Sequence, residues 1–143
     1  MQGIKKLLFI AVMAVMATAA VAPAHAQEDR RISVNVPFDF VLAKSTLRSG
    51  SYRVEQLPSG VVIFANADGD LRRYALTVPG GKADNHNNQP YLVFTRYGNV
   101  AFLSKVVFSA NTNYDLPKTG QEKELIANVG SSHDLAMVIQ PAQ

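Results

Sequence analysis

Asp39 and Glu55 are the first candidates for chemistry, because both carboxylates lie in segments whose alternating apolar residues are typical of β-strands. Two carboxylates brought together across a sheet could act as the acid and the base of glycoside hydrolysis. Carboxylates on strands more often face solvent or pair with arginine, and Arg48 and Arg53 are close by in the chain. A small hydrolase is therefore the least favoured of three functional hypotheses, and the other two are given at the end of this section.

Two histidines lie beyond the apolar N-terminal segment. His133 falls within Ser131–Asp134, but a catalytic triad needs residues that converge in space, and the chain has no G-x-S-x-G turn. We interpret that string as the loop between a helix and the last strand, with His133 as the residue that a hydrolase would use. His86, with Asp84 nearby, offers fewer ligands than zinc requires, so we expect a polar surface loop over Ala83–Gln89.

Asn66–Asp70, NADGD, places oxygen ligands at alternate positions, as a calcium loop does. The glutamate that would close such a loop is absent, and Arg72 and Arg73 follow instead. The Asp68-Gly69 pair is typical of a hairpin turn, which we predict here. With no cysteine and no glycine-rich phosphate loop in the chain, we expect neither a metal nor a cofactor.

Leu116–Gly120, LPKTG, matches the pentapeptide that sortases cleave, but such a signal is followed by a membrane-spanning apolar segment and a basic tail. The apolar run that follows it, Leu135–Gln140, is too short for a span, and the chain ends without a positive charge. The same residues predict a helix, with Thr119 as its N-cap and Glu122 at the third helical position.

This helix is predicted to run to about Asn128, with Gly130 as its C-cap. Its apolar stripe consists of Leu125, Ile126 and Val129. Because so short a helix is marginally stable alone, we expect the stripe to dock on a sheet or across the mouth of a barrel.

Strand-like patterns separated by short turns fill most of the remaining chain. Pro37 interrupts the first run and predicts an edge strand, a bulge, or two strands that meet at a bend. Val61–Ala65 is apolar throughout, which predicts a central strand covered on both faces. We predict an all-β fold, an antiparallel meander of about seven to eight strands that forms a small barrel or sandwich, with one short C-terminal helix near 120–128. The predicted strands lie in Ile32–Leu42, Tyr52–Leu57, Val61–Ala65, Leu71–Val78, Tyr91–Phe108 and Leu135–Gln140.

The most specific signal is a hairpin over Tyr91–Phe108 with a two-residue turn at Gly98-Asn99. That turn pairs Tyr97 with Val100 and, at the outer end, Tyr91 with Val106. We expect the face with an aliphatic centre to be buried; it comprises Leu92, Phe94, Arg96, Ala101, Leu103, Lys105 and Val107.

The opposite face of the hairpin mixes tyrosines and hydroxyls with apolar groups. It either packs beneath another element, lines a ligand groove, or forms a partner surface, and the sequence leaves these alternatives open. The candidate binding residues on this face are Tyr91, Thr95, Tyr97, Phe102 and Ser104.

Met1–Ala26 has the features of a cleaved secretory signal: Lys5 and Lys6, an apolar run, and a small-residue site at Ala24–Ala26. Gln27–Gln143 then forms a single domain of 117 residues, exported to the periplasm or outside the cell, with no stable membrane span. Without the two signal lysines, twelve basic side chains face eleven acidic ones, so the net charge falls from +3 to +1. Because basic and acidic side chains are almost equal in number, the charge argues against nucleic-acid binding.

Several strings together resemble those of an uncharacterised family of small secreted bacterial β-rich proteins. The resemblance spans most of the expected mature chain and implies secretion and a β-fold, but it assigns no catalytic residues. The strings are VNVPFDF (Val34–Phe40), SGSYRV (Ser49–Val54), LVFTRYG (Leu92–Gly98), FLSKV (Phe102–Val106) and LPKTGQEKEL (Leu116–Leu125).

The first functional hypothesis is a secreted, non-enzymatic β-domain with a binding or structural role in the cell envelope or outside the cell, its partner unknown. The alternative is a lipocalin-like carrier of a small apolar ligand, whose pocket the tyrosine-bearing face would line. The absence of tryptophan weakens a sugar-binding platform.

Overall fold

The computed structural model describes residues 30–83 and 89–129, together with the backbone of 133–135. The predicted signal Met1–Ala26, His86 and Gly130 lie outside these residues. The described part of the chain is mostly β, in two sheets with one short helix. No helix in the described ranges is long and apolar enough to cross a membrane.

The elements are β1 (Arg31–Val36), β2 (Phe40–Leu42), β3 (Ser45–Leu47), β4 (Gly50–Gln56), β5 (Val61–Asn66), β6 (Arg72–Leu76), β7 (Val78–Pro79), β8 (Tyr91–Tyr97), β9 (Val100–Ser109), β10 (Thr112–Asp115), α1 (Gly120–Val129) and β11 (His133–Leu135).

The two sheets divide the chain in an order that a plain meander would not produce. The first sheet has the antiparallel order β1-β4-β5-β6, and the second has the order β11-β8-β9-β10-β7. In the second sheet, β2 pairs with β3 and also lies parallel to β9, where Val41 is opposite Phe102. The all-β prediction with a C-terminal helix is confirmed. Strands β1 and β4 are neighbours although β2 and β3 separate them in the chain.

More and shorter strands form than the sequence indicates, because two of the predicted runs change sheets. Pro37 lies between β1 and β2, so the alternative of two strands at a bend is the correct one. Thr77 similarly separates β6, at the edge of the first sheet, from β7, at the edge of the second. A strand that passes from one sheet to the other cannot keep its ladder through the corner.

The core lies between the two sheets and is built from their inward-facing residues. Phe40 is at its centre, with ring centroids 5.5 Å from Tyr52, 6.0 Å from Phe64 and 5.3 Å from Phe94. Such edge-on and tilted ring pairs are favourable beyond the area they bury. The other buried apolar members are Ile32, Val34, Val36, Leu42, Leu47, Val54, Val62, Ala75, Leu92, Ala101, Leu103, Val106 and Phe108.

The expectation that β5 is covered on both faces is wrong for the described part of the chain. Val62 and Phe64 are fully buried in the core, whereas Val61 and Ile63 point to the outer face and are only partly buried. The continuous apolar run therefore reflects an internal strand with one covered face, and the apolar character of its other face needs a separate explanation.

Gly80 lies at a close approach between β7 and β10, and we expect its replacement by alanine to destabilise the fold. A Cβ atom there would overlap Asn113 Oδ1 and lie 3.3 Å from the Asn113 carbonyl oxygen. Asn113 is buried, and its Nδ2 donates a hydrogen bond to the Gly81 carbonyl at 2.6 Å. The side chain would have to move and lose that bond, at a cost of at least about 1 kcal/mol.

Chemical denaturation of Gly80→Ala measures this cost against a matched control, Gly81→Ala, since no atom lies within 4 Å of a Cβ placed at Gly81. Equal stabilities of the two variants would contradict the close approach.

Candidate functional site

The predicted hairpin forms β8 and β9, and its turn is the one expected. Gly98 has a φ of +61°, and Tyr97 pairs with Val100. Asn99 is not among the non-glycine residues with positive φ, so the turn is of type II′, in which glycine takes the first central position. The turn chemistry of the sequence therefore determines the inner half of the hairpin.

The outer half differs from the prediction by one residue because β9 contains a bulge. Phe94 pairs with Leu103 but Val93 pairs with Lys105, so Ser104 has no partner residue in the ladder. Its hydroxyl donates a hydrogen bond to the Val93 carbonyl at 3.0 Å, which holds the bulge in place. A bulge inserts an extra residue and so reverses the faces beyond it.

This reversal corrects two face assignments. Val106 is fully buried in the core, not on the tyrosine-bearing face, and its partner is Leu92 in place of Tyr91. Val107 lies opposite Tyr91, on the other face from Val106, but it is fully buried there, so its predicted burial is confirmed although its face is not. The central residues Leu92, Phe94, Ala101 and Leu103 are buried as expected.

The five candidate binding residues do not form one open surface. Thr95, Tyr97 and Phe102 are buried, whereas Tyr91 and Ser104 are partly exposed. Tyr97 and Phe102 pack edge to face at 5.8 Å and form a second, smaller apolar cluster with Val41. Leu125 of α1 packs on the cluster, so the helix covers this end of the face.

A buried polar contact fastens α1 to the hairpin. The Tyr97 hydroxyl donates a hydrogen bond to Glu122 Oε1 at 3.0 Å, and Glu122 is only 5% exposed. Lys118 Nζ donates to the Tyr97 oxygen at 2.9 Å and lies 3.6 Å from Glu122 Oε1. The acid is therefore both paired with a cation and hydrogen-bonded, as a buried carboxylate requires.

The helix start explains why Glu122 is available for this role. Thr119 Oγ1 accepts a hydrogen bond from the Glu122 amide at 3.2 Å, which confirms the predicted N-cap. In a complete capping box the glutamate side chain would return to the backbone of the cap residue. Here it reaches across to Tyr97 instead, so a local helix signal also makes a tertiary contact.

The rest of the predicted helix stripe does not dock. Leu125 packs on the smaller cluster, but Ile126 and Val129 are exposed. The sequence predicted that three apolar residues attach the helix to the sheet. In the structure, the apolar Leu125 and the acidic Glu122 make the contacts. Lys118 and Glu122 were missed as tertiary contacts; their i,i+4 spacing is the signal that could have paired them.

The environment of Lys118 raises its pKa, chiefly through its hydrogen bond to Tyr97 and, to a smaller extent, through the charge of Glu122. A lysine whose pKa is higher in the folded state stabilises the fold below its ordinary value of 10.5, and that stabilisation is lost as the pH rises through the folded value. We therefore expect the free energy of unfolding to fall above about pH 10, with part of the decline due to Lys118.

Urea unfolding of Lys118→Met between pH 8 and 11.5 tests this dependence. The variant should lose less stability across the alkaline range than the parent protein. Tyr52 contributes a separate part of the decline, because burial and the nearby Asp39 charge raise its pKa, so the slope should be reduced rather than abolished. Lys123→Met, at an exposed position of α1, is the control, and an identical slope in both variants would contradict the assignment.

The other residues considered for chemistry have structural contacts. Asp39 accepts a hydrogen bond from the Ser49 amide at 2.8 Å, and Glu55 forms an ion pair with Arg31 at 3.0 Å. His133, predicted in a loop, instead lies in β11, where its backbone pairs with Arg96 of β8; its side chain lies outside the described atoms. In residues 30–83 and 89–129, no group of three histidine, cysteine or acidic side chains is placed to hold a metal ion.

The Asn66–Asp70 string forms the predicted hairpin turn. Gly69 has a φ of +80° and donates to the Asn66 carbonyl at 3.0 Å, while Asn66 Oδ1 accepts from the Leu71 amide. The Asn66 oxygen that could have faced a cation is thus used within the turn.

A second surface, which the sequence did not indicate, lies on the outside of the first sheet. Across β5 and β6, Ile63 is opposite Tyr74 and Val61 is opposite Leu76. Tyr74 is 58% exposed and Leu76 is 72% exposed. We call these four residues the apolar outer face; exposed apolar groups that cluster in this way mark interaction sites more often than isolated ones do.

The same sheet has a polar surface on its β1–β4 half. There Arg31 is opposite Glu55, Ser33 is opposite Arg53, and Asn35 is opposite Ser51. The outer face of one sheet is therefore divided into a polar half and an apolar half, and the apolar half ends at the edge strand β6.

Comparisons with protein-family models, with curated proteins and with solved structures found nothing that matches this chain. The functional assignment therefore depends on the sequence and on the geometry described above.

Proposed function

We propose that this chain is an exported, non-enzymatic β-domain that binds a partner in the cell envelope or outside the cell. The observation that carries the proposal is the apolar outer face, where Tyr74 and Leu76 are mostly exposed beside the polar β1–β4 half of the same sheet face. Leaving such large apolar groups in water is unfavourable, so their retention at one edge fits a surface that a partner covers. Export is the expectation from Met1–Ala26.

The interior favours this proposal over the lipocalin-like carrier. A carrier needs space between its sheets for an apolar ligand. Here Phe40, Phe64 and Phe94 meet in the middle of the core, and Phe38 packs on Phe94 at 5.0 Å. The tyrosine-bearing face, on which the carrier hypothesis depended, is covered at its Tyr97 end by α1.

Site-specific photo-crosslinking in the native host tests the binding role. A benzophenone amino acid would replace Leu76 on the apolar outer face or, as a control, Ser33 on the polar half of the same sheet. We expect a discrete cross-linked product in the envelope or extracellular fraction from position 76 and none from position 33. Equal labelling of many proteins from both positions would contradict a specific partner.

Native mass spectrometry of the protein from the same fraction tests the two remaining parts of the proposal. A measured mass that corresponds to a chain beginning at Gln27 supports export with signal cleavage. A small apolar molecule bound in stoichiometric amount would overturn the proposal in favour of the carrier.

A further inference from the structure

We infer that β6 is a docking edge for an extended, apolar and acidic segment of another protein, which adds to the first sheet as a fifth strand. This inference rests on the proposed binding function and specifies the chemistry of the partner. It depends on three features of β6: a backbone edge with which no described strand pairs, its exposed side chains and its arginines without ion-pair partners among the described residues.

The backbone of β6 presents hydrogen-bonding groups on the side away from β5. The Asn66 amide donates to the Leu71 carbonyl at 3.1 Å, and the Thr77 amide donates to the Gly60 carbonyl at 2.8 Å. In an antiparallel ladder the bonded residues alternate, so the odd-numbered residues of β6 bond to β5 and the even-numbered ones face outward. Within the described residues no strand pairs with that outer side. The available groups are the amides and carbonyls of Tyr74 and Leu76 and the Arg72 amide, because the Arg72 carbonyl accepts from the Arg73 guanidinium.

The side chains of these same residues make β6 a weakly protected edge. Natural edge strands are usually blunted by charged residues, proline, bulges or short length. Strand β1, at the opposite edge, follows this rule, with Arg31, Ser33 and Asn35 on its outer face and Pro37 directly after it. Strand β6 has Tyr74 and Leu76 on the corresponding face, so an added strand would cover apolar surface as well as pair its backbone.

The charge at the other end of β6 determines which segment fits. Arg72 and Arg73 are both exposed, but only Arg72 lies on the outer face, since Arg73 is opposite the buried Phe64. The row of opposed residues Arg53, Ala65 and Arg72 brings a second guanidinium to the same end of the outer face. Arg73 donates to the Arg72 carbonyl, and no acidic side chain in the described ranges forms an ion pair with Arg53, Arg72 or Arg73. Asp68 and Asp70, exposed in the preceding turn, reduce this positive potential without pairing.

A fitting segment therefore has alternating apolar residues opposite Tyr74 and Leu76 and acidic residues opposite the arginines. A second copy of this chain fits less well, because its β6, Arg72–Leu76, contains no acidic residue that could lie opposite Arg72. Electrostatic complementarity of this kind selects partners and speeds association.

Peptide binding to the full mature chain tests the inference. The probe is a fluorescein-labelled peptide, Thr-Val-Thr-Val-Glu-Glu. In the control peptide, Lys-Lys replaces Glu-Glu. We expect fluorescence anisotropy to show saturable binding of the acidic peptide, with the lysine peptide bound about tenfold more weakly or not at all. A further peptide with N-methylated valines, which cannot pair along its backbone, should lose binding.

Two variants and one backbone measurement make the result specific to β6. Leu76→Asp should weaken peptide binding about tenfold, whereas Val129→Asp, at another exposed apolar position, should not change it. Thermal unfolding verifies that both variants are folded. Hydrogen exchange at the Tyr74 and Leu76 amides should slow when the acidic peptide is added, while the Ala75 amide, which already faces β5, should not change.

Different failures have different meanings. Absence of peptide binding and of amide protection overturns the inference, and the photo-crosslink from position 76 then decides separately whether the proposed binding function stands. A dimer in sedimentation equilibrium that Leu76→Asp dissociates would also overturn it, because the occupant of the edge would be a second copy.

Discussion

Replacing Phe40 with alanine is expected to lower the free energy of unfolding by about 3–5 kcal/mol. Phe40 is 1% exposed and its ring contacts Tyr52, Phe64 and Phe94, which come from both sheets. Removing the ring leaves a cavity between the sheets, since three neighbouring rings cannot all move into it. A domain of this size is stable by about 5–15 kcal/mol, so the variant should be close to unfolding.

Urea denaturation followed by circular dichroism measures this loss, with Phe40→Leu as the matched variant. Leucine keeps most of the apolar volume, so its cost should be smaller than that of alanine. If alanine and leucine have the same small effect, Phe40 is not the centre of the packing between the sheets.

Replacing Tyr97 with phenylalanine is expected to cost about 1–3 kcal/mol, a large effect for the removal of one oxygen atom. The Tyr97 hydroxyl donates to the buried carboxylate of Glu122 and accepts from Lys118. Without it, Glu122 keeps only the 3.6 Å approach of Lys118, and a carboxylate that is 5% exposed cannot regain water cheaply. Tyr74→Phe, which removes a hydroxyl from a mostly exposed ring, should change stability by less than about 0.5 kcal/mol.

The double variant Tyr97→Phe with Glu122→Met tests the reason for this cost. If the cost comes from an unpaired buried carboxylate, removing the carboxylate as well should recover part of the lost stability. Lys118 then loses both partners, but its side chain is more than half exposed and remains hydrated. If the double variant loses the sum of the stabilities lost in the two single variants, Tyr97 and Glu122 do not act as a pair.

Local patterns predicted the elements of this fold well. The hairpin turn follows from Gly98, which supplies the positive φ that a type II′ turn needs, and the helix start follows from Thr119. Pro37 indicated a possible bend because it cannot donate to a ladder. Each of these signals acts within a few residues, where the chain has few alternatives.

Contacts between distant parts of the chain were not predictable in the same way. No residue type within the hairpin requires the bulge at Ser104, whose carbonyl accepts a hydrogen bond from the Leu116 amide, outside the hairpin, at 2.9 Å. The parallel pairing of β2 with β9 joins segments about sixty residues apart, and the sequence has no signal for this choice. The position of β6 at a sheet edge likewise follows from the whole topology.

The candidate site in the structure differs from the predicted one because of such contacts between distant parts of the chain. The sequence alone determined which hairpin residues share a face near the turn, because side chains alternate along a strand. The cover that α1 gives to the Tyr97 end of that face, and the exposure of Tyr74 and Leu76 elsewhere, depend on contacts between distant parts of the chain. Apolar side chains look alike in a sequence whether they face the core or solvent, and which of the two occurs depends on the layer that packs over them.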